Sequence, residues 1–233
     1  MTKAIKPSQP VARPPGAARW LGRAGLLGAV AGLALAAVGA GMLVNSATQE
    51  QQLTDRWHRA VAQAQSGSIP GTLVGAPVGS GTLDRRGQRQ VPAALLAQLR
   101  RSLDGAEFAI RVPQIGYFAA VREGVGLGIL YIGPGHYPGT AMPGGAGNVG
   151  VAAHNTYWIK FGALRPGDVI QLETLTDTYT YQVTGSRIVS PSDVAVLSQT
   201  DGPRLTLTTC WPLWAGALAQ QRLVIFARQV KAA

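Results

Sequence analysis

The feature that most constrains the fold is a series of short apolar runs, which begins near residue 107 and continues almost to residue 233. Gly, Pro or Asp residues separate each run from the next, and several runs alternate apolar with polar side chains. Short runs of this kind, divided by turn residues, are typical of β-sandwiches and β-barrels. Residues 107–233 are therefore predicted to form one all-β domain. The predicted strands are 108–113, 115–121, 125–132, 149–153, 169–174, 179–183, 188–189, 205–209 and 223–230.

The N-terminal part contains one apolar stretch without a charge, residues 24–44. A transmembrane helix needs about 20 such residues, so this stretch is long enough to cross a bilayer. The charges in residues 1–23 are all basic, and the positive-inside rule then predicts a cytoplasmic tail at 1–23 and an extracytoplasmic C-terminal domain. A cleaved signal peptide is the alternative, because small residues at 37–40 offer a cleavage position.

Residues 45–106 are predicted to form an extracytoplasmic stalk or linker. Residues 47–65 place apolar side chains on one helical stripe, which indicates either a stalk or a cover packed on the domain. Residues 66–91 are rich in Gly and Pro and are predicted to be a linker. Residues 92–103 are predicted to form a short helix with basic side chains near its end, where the helix dipole favours cations.

Chemistry is indicated by Cys210, the only cysteine in the chain. It ends the alternating run 205–209, and the run 223–230 is the next predicted strand. If these two strands pair antiparallel, Cys210 and Arg222 lie at the same end of the sheet. Upstream, His154 follows another short apolar run, 149–153. The candidate site residues are therefore Cys210, His154 and Arg222, all at strand ends.

These three residue types suit acyl transfer, because a thiol nucleophile needs a base and a group that stabilises an oxyanion. Less specific interpretations exist for each residue. A free cysteine is often buried and inert, and an arginine can simply form a surface ion pair. His136 competes with His154 for the role of base, but backbone geometry is the expected demand on its glycine-rich loop. His58 is expected to be an ordinary surface residue.

The sequence Thr-Leu-Thr-Thr-Cys at 206–210 resembles the TLxTC motif of sortases, the cysteine transpeptidases of bacterial cell surfaces. The preceding histidine and the following arginine occur in the order of that family. Residues 133–144, Gly-Pro-Gly-His-Tyr-Pro-Gly-Thr-Ala-Met-Pro-Gly, look most like the class E branch. The resemblance covers about residues 107–231 and implies an eight-stranded β-barrel behind a transmembrane helix and a helical stalk.

The resemblance also implies roles. Cys210 is expected to attack a threonine–glycine bond in an LAxTG- or LPxTG-like signal, His154 to transfer protons, and Arg222 to stabilise the oxyanion. The expected partners are surface proteins that carry this signal, a lipid II-like cell-wall precursor amine, and the membrane. No cofactor and no metal are expected, because one cysteine and dispersed histidines form no recognisable zinc site.

Substrate contacts are less strongly indicated. Thr209 is expected to hydrogen-bond the substrate, with an ordinary strand-end threonine as the alternative. Three aromatic residues are expected to line an apolar groove, with packing against the barrel as an equal alternative: Tyr157, Trp211 and Trp214. Asn155 follows His154 where class E relatives usually carry Arg, and Ala153 stands where they usually carry Gly. These two departures bear on substrate preference and subclass.

The formal net charge is +10, and half of it lies in residues 1–23. The remaining excess suits an anionic surface such as lipid headgroups or wall polymer. A nucleic-acid partner is not expected, because no dense basic cluster with interleaved aromatics occurs in the folded region. Two other functions remain open from the residues alone. They are a different thiol enzyme that acts on peptidoglycan and a non-enzymatic surface-binding β domain.

Overall fold

The computed structural model describes residues 17–66 and 91–230, with side chains described from residue 29 onward except at 42 and 43. Residues 67–90 of the predicted linker and most of the predicted basic tail therefore lie outside the described residues. The chain divides into two compact units, Met1–Asn45 and Ser46–Ala233.

The first unit holds the beginning of helix α1, which spans Ala17–Ser66. Its described part from Ala29 is long and apolar enough, by length and composition, to cross a membrane, a test that a signal sequence also passes. The apolar side chains of Val30, Leu33 and Leu35 are exposed. The stretch predicted to be a transmembrane helix is thus helical.

The second unit is a closed barrel of eight strands, which confirms the predicted all-β class and the strand number that the resemblance implies. The order around the barrel is β1-β2-β3-β4-β7-β8-β6-β5. The strands are β1 Ala106–Val112, β2 Tyr117–Glu123, β3 Gly135–His136, β4 Asn148–Ala153, β5 Val169–Glu173, β6 Thr178–Val189, β7 Arg204–Trp211 and β8 Gln221–Gln229. Alternation puts one face of each strand inside, as in β5, where Ile170 and Leu172 are fully buried.

Two strand predictions are wrong in detail. The run 125–132 contains a short helix, α3 Leu127–Leu130, instead of a strand. The reason is that β2 and β3 are parallel, and parallel neighbours need a crossover connection instead of a hairpin. The runs 179–183 and 188–189 belong to one strand, β6, which continues through a bulge between Val183 and Gly185.

Two helical segments pack on the barrel. The part of α1 that belongs to the second unit buries Leu53, Trp57, Ala60 and Ala64 in the same apolar cluster as the barrel interior. Helix α2, Ala93–Ser102, adds Leu95 and Leu99 to this cluster and confirms the helix predicted at 92–103. Of the two alternatives for residues 47–65, a cover packed on the domain is the one observed.

Trp57→Ala is expected to lower the free energy of unfolding by about 3 kcal/mol, because it empties the largest side-chain volume that α1 inserts into the core. Trp57→Phe is the matched control. It keeps most of the ring volume, and the Trp57 Nε1 atom that it removes has no hydrogen-bond partner among the described residues. Chemical denaturation of both variants in one detergent tests this. Equal stability of Trp57→Ala and wild type would mean that α1 does not anchor to the barrel here.

Candidate active site

Three neighbouring strands bring Cys210, His154 and Arg222 together. Strand β7 pairs antiparallel with β8, and Cys210 and Arg222 are direct Cα partners in that register. Strand β4 runs parallel to β7, and their last pair joins Ala153 to Thr209. The next residues on these two strands are His154 and Cys210, on chains about 4.8 Å apart. The predicted antiparallel pairing and the common end of the sheet are therefore confirmed.

The face of β7 that carries Cys210 points away from the barrel interior. Leu205 and Leu207 belong to the core cluster, so the alternate positions of the strand face outward. Cys210 is partly exposed and is a free thiol. A partly exposed thiol beside a histidine and an arginine is in the kind of electropositive surrounding where cysteines react.

His154 opens the β4–β5 loop (residues 154–168) and is half-buried. Burial lowers the pKa of His154 below its ordinary value of 6.5, because the imidazolium form loses hydration. The ring is therefore mainly neutral at neutral pH and has a lone pair that can take a proton. This is the protonation state required of a base in amine attack.

Arg222 supplies the fixed positive charge. Its Nη1 donates to the Gln221 carbonyl oxygen at 3.1 Å. Within residues 29–66 and 91–230 no carboxylate forms an ion pair with it. The other guanidinium N–H groups therefore remain available as donors to a developing oxyanion next to Cys210.

Asn155 links the two loops that flank the site. Its side chain is only 2% exposed, and Nδ2 donates to the Pro212 carbonyl oxygen at 3.4 Å and to the Gly216 carbonyl oxygen at 3.2 Å. Both acceptors lie in the β7–β8 loop (residues 212–220). Gly216 has φ 54°, a left-handed conformation that favours glycine. The residue after the histidine thus holds the loop that follows the cysteine.

Asn155→Asp is expected to lower kcat/KM by about tenfold, because it replaces a buried donor by an acceptor that faces two carbonyl oxygens. The two flanking loops then lose their link and the site loses its geometry. Steady-state kinetics with a sorting-signal peptide measure the effect. Gln98→Glu, the same chemical change at an exposed position of α2, is the control. An Asn155→Asp variant as active as Gln98→Glu would show that the link does not position the site.

The structure places three of the four predicted substrate residues near the site in packing environments, whereas Trp214 is exposed. Thr209 is 3% exposed and lies on the same inward-facing side of β7 as Leu207. Its hydroxyl has no hydrogen-bond partner among the described residues. The Tyr157 hydroxyl donates to the Tyr131 carbonyl oxygen at 2.6 Å. Tyr157 and Trp211 both pack partly buried against the core. Their substrate roles remain predictions.

His136 lies on β3. The sequence analysis expected only backbone geometry to matter in this loop, but the imidazole also has a structural role. Its Nδ1 lies 2.6 Å from Glu123 Oε2, and its Nε2 lies 2.9 Å from Thr140 Oγ1. Thr140 donates its own hydroxyl proton to the Tyr137 carbonyl oxygen, so it accepts from His136. The buried imidazole is therefore held between Glu123 and Thr140 by hydrogen bonds at both ring nitrogens. His136 is not available as the base.

A second titratable group, Glu50, is partly buried and was missed by the sequence analysis. Its Oε1 accepts from the Tyr117 hydroxyl at 3.3 Å. Burial raises the pKa of Glu50 from 4.5 to about 7, with the Tyr117 hydrogen bond as a smaller opposing influence. Glu50 lies beyond the apolar stretch 24–44, and its spacing to Leu53 and Trp57 places it on the buried stripe of α1. That spacing was the signal that could have found it.

Glu50→Gln is expected to remove a pH dependence of stability. Because the folded protein holds the Glu50 proton more tightly than the unfolded chain, the protonated carboxyl carries no penalty below about pH 4.5. Stability then falls as the pH rises through about 7. Thermal unfolding at about pH 5 and about pH 8 should show that Glu50→Gln raises the melting temperature relative to wild type only at the higher pH.

The matched control for Glu50 is Asp55→Asn, the same kind of change at an exposed position of α1. Asp55→Asn should leave the pH profile of stability unchanged. A Glu50→Gln profile parallel to that of wild type would contradict the burial of this carboxyl. Among the described residues, no group of three or more His, Cys, Asp or Glu side chains is arranged to hold a metal ion.

Comparison with known proteins agrees with this architecture. The sequence model of the sortase domain matches residues 110–230. Sortase D of Bacillus subtilis (strain 168) is 25% identical over 202 residues, which cover 86% of this chain and 94% of that protein. The structure of the Clostridium perfringens sortase D5 transpeptidase matches with a TM-score of 0.50 and 32% identity, over 54% of this chain and 79% of that one.

A sortase E1 structure from Streptomyces coelicolor, with a tripeptide in its active site, shares the fold at 24% identity. Its TM-score is 0.50, and the match covers 55% of this chain and 90% of that one. A closed eight-stranded barrel with a cysteine, a histidine and an arginine at one end defines a sortase-type transpeptidase fold. The chain belongs to the sortase family. The relatives named above are a sortase D, a sortase D5 and, at the level of the fold, a sortase E1.

Proposed function

We propose that this protein is a membrane-anchored sortase that cleaves an LAxTG- or LPxTG-like signal between Thr and Gly. It then joins the surface protein to an amine of a lipid II-like cell-wall precursor. Sortases as a family act on surface proteins with sorting signals and on cell-wall precursors. The observation that carries the proposal is the pairing of Cys210 with Arg222, with His154 one residue beyond the last β4–β7 pair.

The first half-reaction forms a thioester. His154 first takes the proton of the Cys210 thiol. The resulting thiolate attacks the threonine carbonyl carbon, and a carbon–sulfur bond forms while the carbonyl oxygen becomes an oxyanion. The Arg222 guanidinium donates hydrogen bonds to that oxyanion. On collapse the carbon–nitrogen bond breaks, and protonated His154 gives its proton to the departing glycine amine.

The second half-reaction transfers the acyl group. Now neutral, His154 accepts a proton from the incoming amine while the amine nitrogen attacks the thioester carbon. A carbon–nitrogen bond forms, the carbon–sulfur bond breaks, and the Cys210 thiolate is regenerated. The lowered pKa of His154 suits this step, because a neutral imidazole is the form that accepts the proton.

The membrane location and the class are finer parts of the same proposal. The apolar helical stretch 24–44 supports an uncleaved anchor with the basic residues 1–23 in the cytoplasm. The segment 133–144 supports a class E-like branch. The β4–β5 loop, which begins with His154 and Asn155, is where substrate preference is expected to differ from other class E sortases.

Product analysis with and without an added amine tests the reaction. The purified chain is incubated with an LAxTG or an LPxTG peptide, alone or with a glycyl amine, and the products are separated by mass. The expected product with amine is the peptide fragment joined to that amine through its threonine. Free acid as the sole product under both conditions would identify a thiol hydrolase and overturn the transpeptidase proposal.

A further inference from the structure

An exposed apolar rim surrounds the active-site end of the barrel. We define the rim as Trp214 and Leu218 of the β7–β8 loop together with Ile159 of the β4–β5 loop. Their side chains are 82%, 83% and 50% exposed. The β7–β8 loop contains no charged residue. Large exposed apolar side chains grouped beside a site mark an interaction surface and are not typical of a soluble exterior.

The rim is one surface because the two loops are tied together. Asn155, at the start of the β4–β5 loop, donates to the Gly216 carbonyl oxygen in the β7–β8 loop. Farther along, Gly162 leaves so little space that an added Cβ atom would lie 2.8 Å from Leu213 Cδ1. Ile159 and the pair Trp214 and Leu218 are thus carried by loops in direct contact.

The first residues of the barrel unit lie at the same end. Ser46 begins this unit, and its side chain hydrogen-bonds Tyr157 in the β4–β5 loop. One turn later Glu50 accepts from Tyr117. The apolar stretch 24–44 ends two residues before Ser46 in the sequence, which is about 3 Å of helix. If that stretch spans a bilayer, Ser46 is separated from it by one residue of the chain.

The composition of the rim fits a lipid interface. Tryptophan prefers the boundary between headgroups and acyl chains, and leucine and isoleucine bury apolar area there. Lys160, next to Ile159, is exposed and supplies a cation for anionic headgroups. An uncharged loop that carries an exposed tryptophan, with a lysine on the neighbouring loop, is typical of segments that insert into a membrane surface.

We propose that the rim formed by Trp214, Leu218 and Ile159 rests in the lipid interface, so that the active site faces the membrane that anchors the chain. This inference rests on the proposed membrane anchoring. The consequence is specific. An acceptor amine held at the headgroup plane by a lipid meets Cys210 directly, while a soluble amine gains nothing from the orientation.

A fluorescent probe at the rim tests the contact. The full chain, with Cys210→Ser as background, is reconstituted in discs of phosphatidylcholine and phosphatidylglycerol. Leu218→Cys is labelled with nitrobenzoxadiazole. Val194→Cys is the control, because Val194 is 74% exposed and lies far from the rim, on the connection between β6 and β7. In that connection the Val196 carbonyl oxygen accepts from Asn148, which begins β4, whereas His154 follows the end of β4.

The expected result is a blue-shifted emission at position 218 that spin-labelled acyl chains quench several-fold more than emission at position 194. Equal weak quenching at both positions, in chains that remain in the discs, would overturn the rim contact and leave the anchor intact. Chains that separate from the discs during flotation would overturn both the anchor and the inference.

An activity comparison tests the consequence. The double variant Ile159→Ser with Leu218→Ser is expected to lose about tenfold in transfer to a lipid-linked amine, because two interfacial side chains no longer orient the site. Transfer to a soluble glycyl amine should stay at the wild-type rate. An equal loss with both amines would assign the rim to peptide binding and overturn the membrane role. A wild-type chain with no transfer to either amine would instead refute the proposed reaction, while the probe experiment still reports on the rim.

Discussion

Replacing Cys210 with alanine is expected to reduce cleavage and transfer to background, a fall on the order of 10⁶ in kcat. The structure gives the reason. Cys210 is a partly exposed free thiol on the outer face of β7, and no second cysteine exists to replace it. Without a nucleophile the thioester does not form, so neither half-reaction proceeds.

The control for this variant is folding, because alanine is smaller than cysteine but keeps the strand. The melting temperature of Cys210→Ala should differ from that of wild type by no more than is usual for a substitution at a partly exposed position. A Cys210→Ala chain that still cleaves a sorting peptide, at a rate above that of buffer, would refute the thiol mechanism and redirect attention to a different site on the barrel.

Arg222→Ala should lower kcat by about 10²–10³, the typical cost of losing one oxyanion donor. Arg222→Lys should recover only part of this loss. An ammonium keeps the charge but lacks the planar fork of donors that a guanidinium presents. The direct Cα pairing with Cys210 makes Arg222 the nearest fixed cation across the β7–β8 ladder. Single-turnover kinetics with a sorting peptide separate this loss from any change in peptide binding.

Arg228→Ala is the matched control for Arg222, because it removes an exposed arginine from the same strand, six residues away at its other end. It is expected to leave kcat unchanged. Equal losses from Arg222→Ala and Arg228→Ala would mean that the general positive charge of β8 matters and that a donor at the oxyanion does not.

The local pattern around the cysteine was sufficient to predict the part of the fold that builds the site. Alternation in 205–209 and the next apolar run at 223–230 predicted an antiparallel pair, and the register joins Cys210 to Arg222. The position of His154 required more. Strand β4 runs parallel to β7, and the two strands are far apart in sequence, so no local sequence pattern indicates that they are neighbours in the barrel. Only the family resemblance linked them.

Other features depend on tertiary contacts that a strand or helix pattern does not encode. The run 125–132 has strand composition, yet the parallel β2–β3 pairing requires a crossover there, and α3 forms. Asn155 was noticed only as a departure from relatives, whereas its hydrogen bonds to the β7–β8 loop depend on how two distant loops meet. Glu50 was hidden because an acidic residue on an apolar stripe is usually taken as exposed.

The central claim is that Cys210 forms a thioester with the threonine of a sorting signal. The most direct measurement is the intact mass of the full chain after incubation with LAxTG and LPxTG peptides in the absence of an acceptor amine. We expect a mass gain equal to the acyl fragment that ends at threonine, carried by Cys210 and lost when a glycyl amine is added. A chain whose Cys210 is alkylated normally by iodoacetamide, but which gains no mass with either peptide, would refute the thioester.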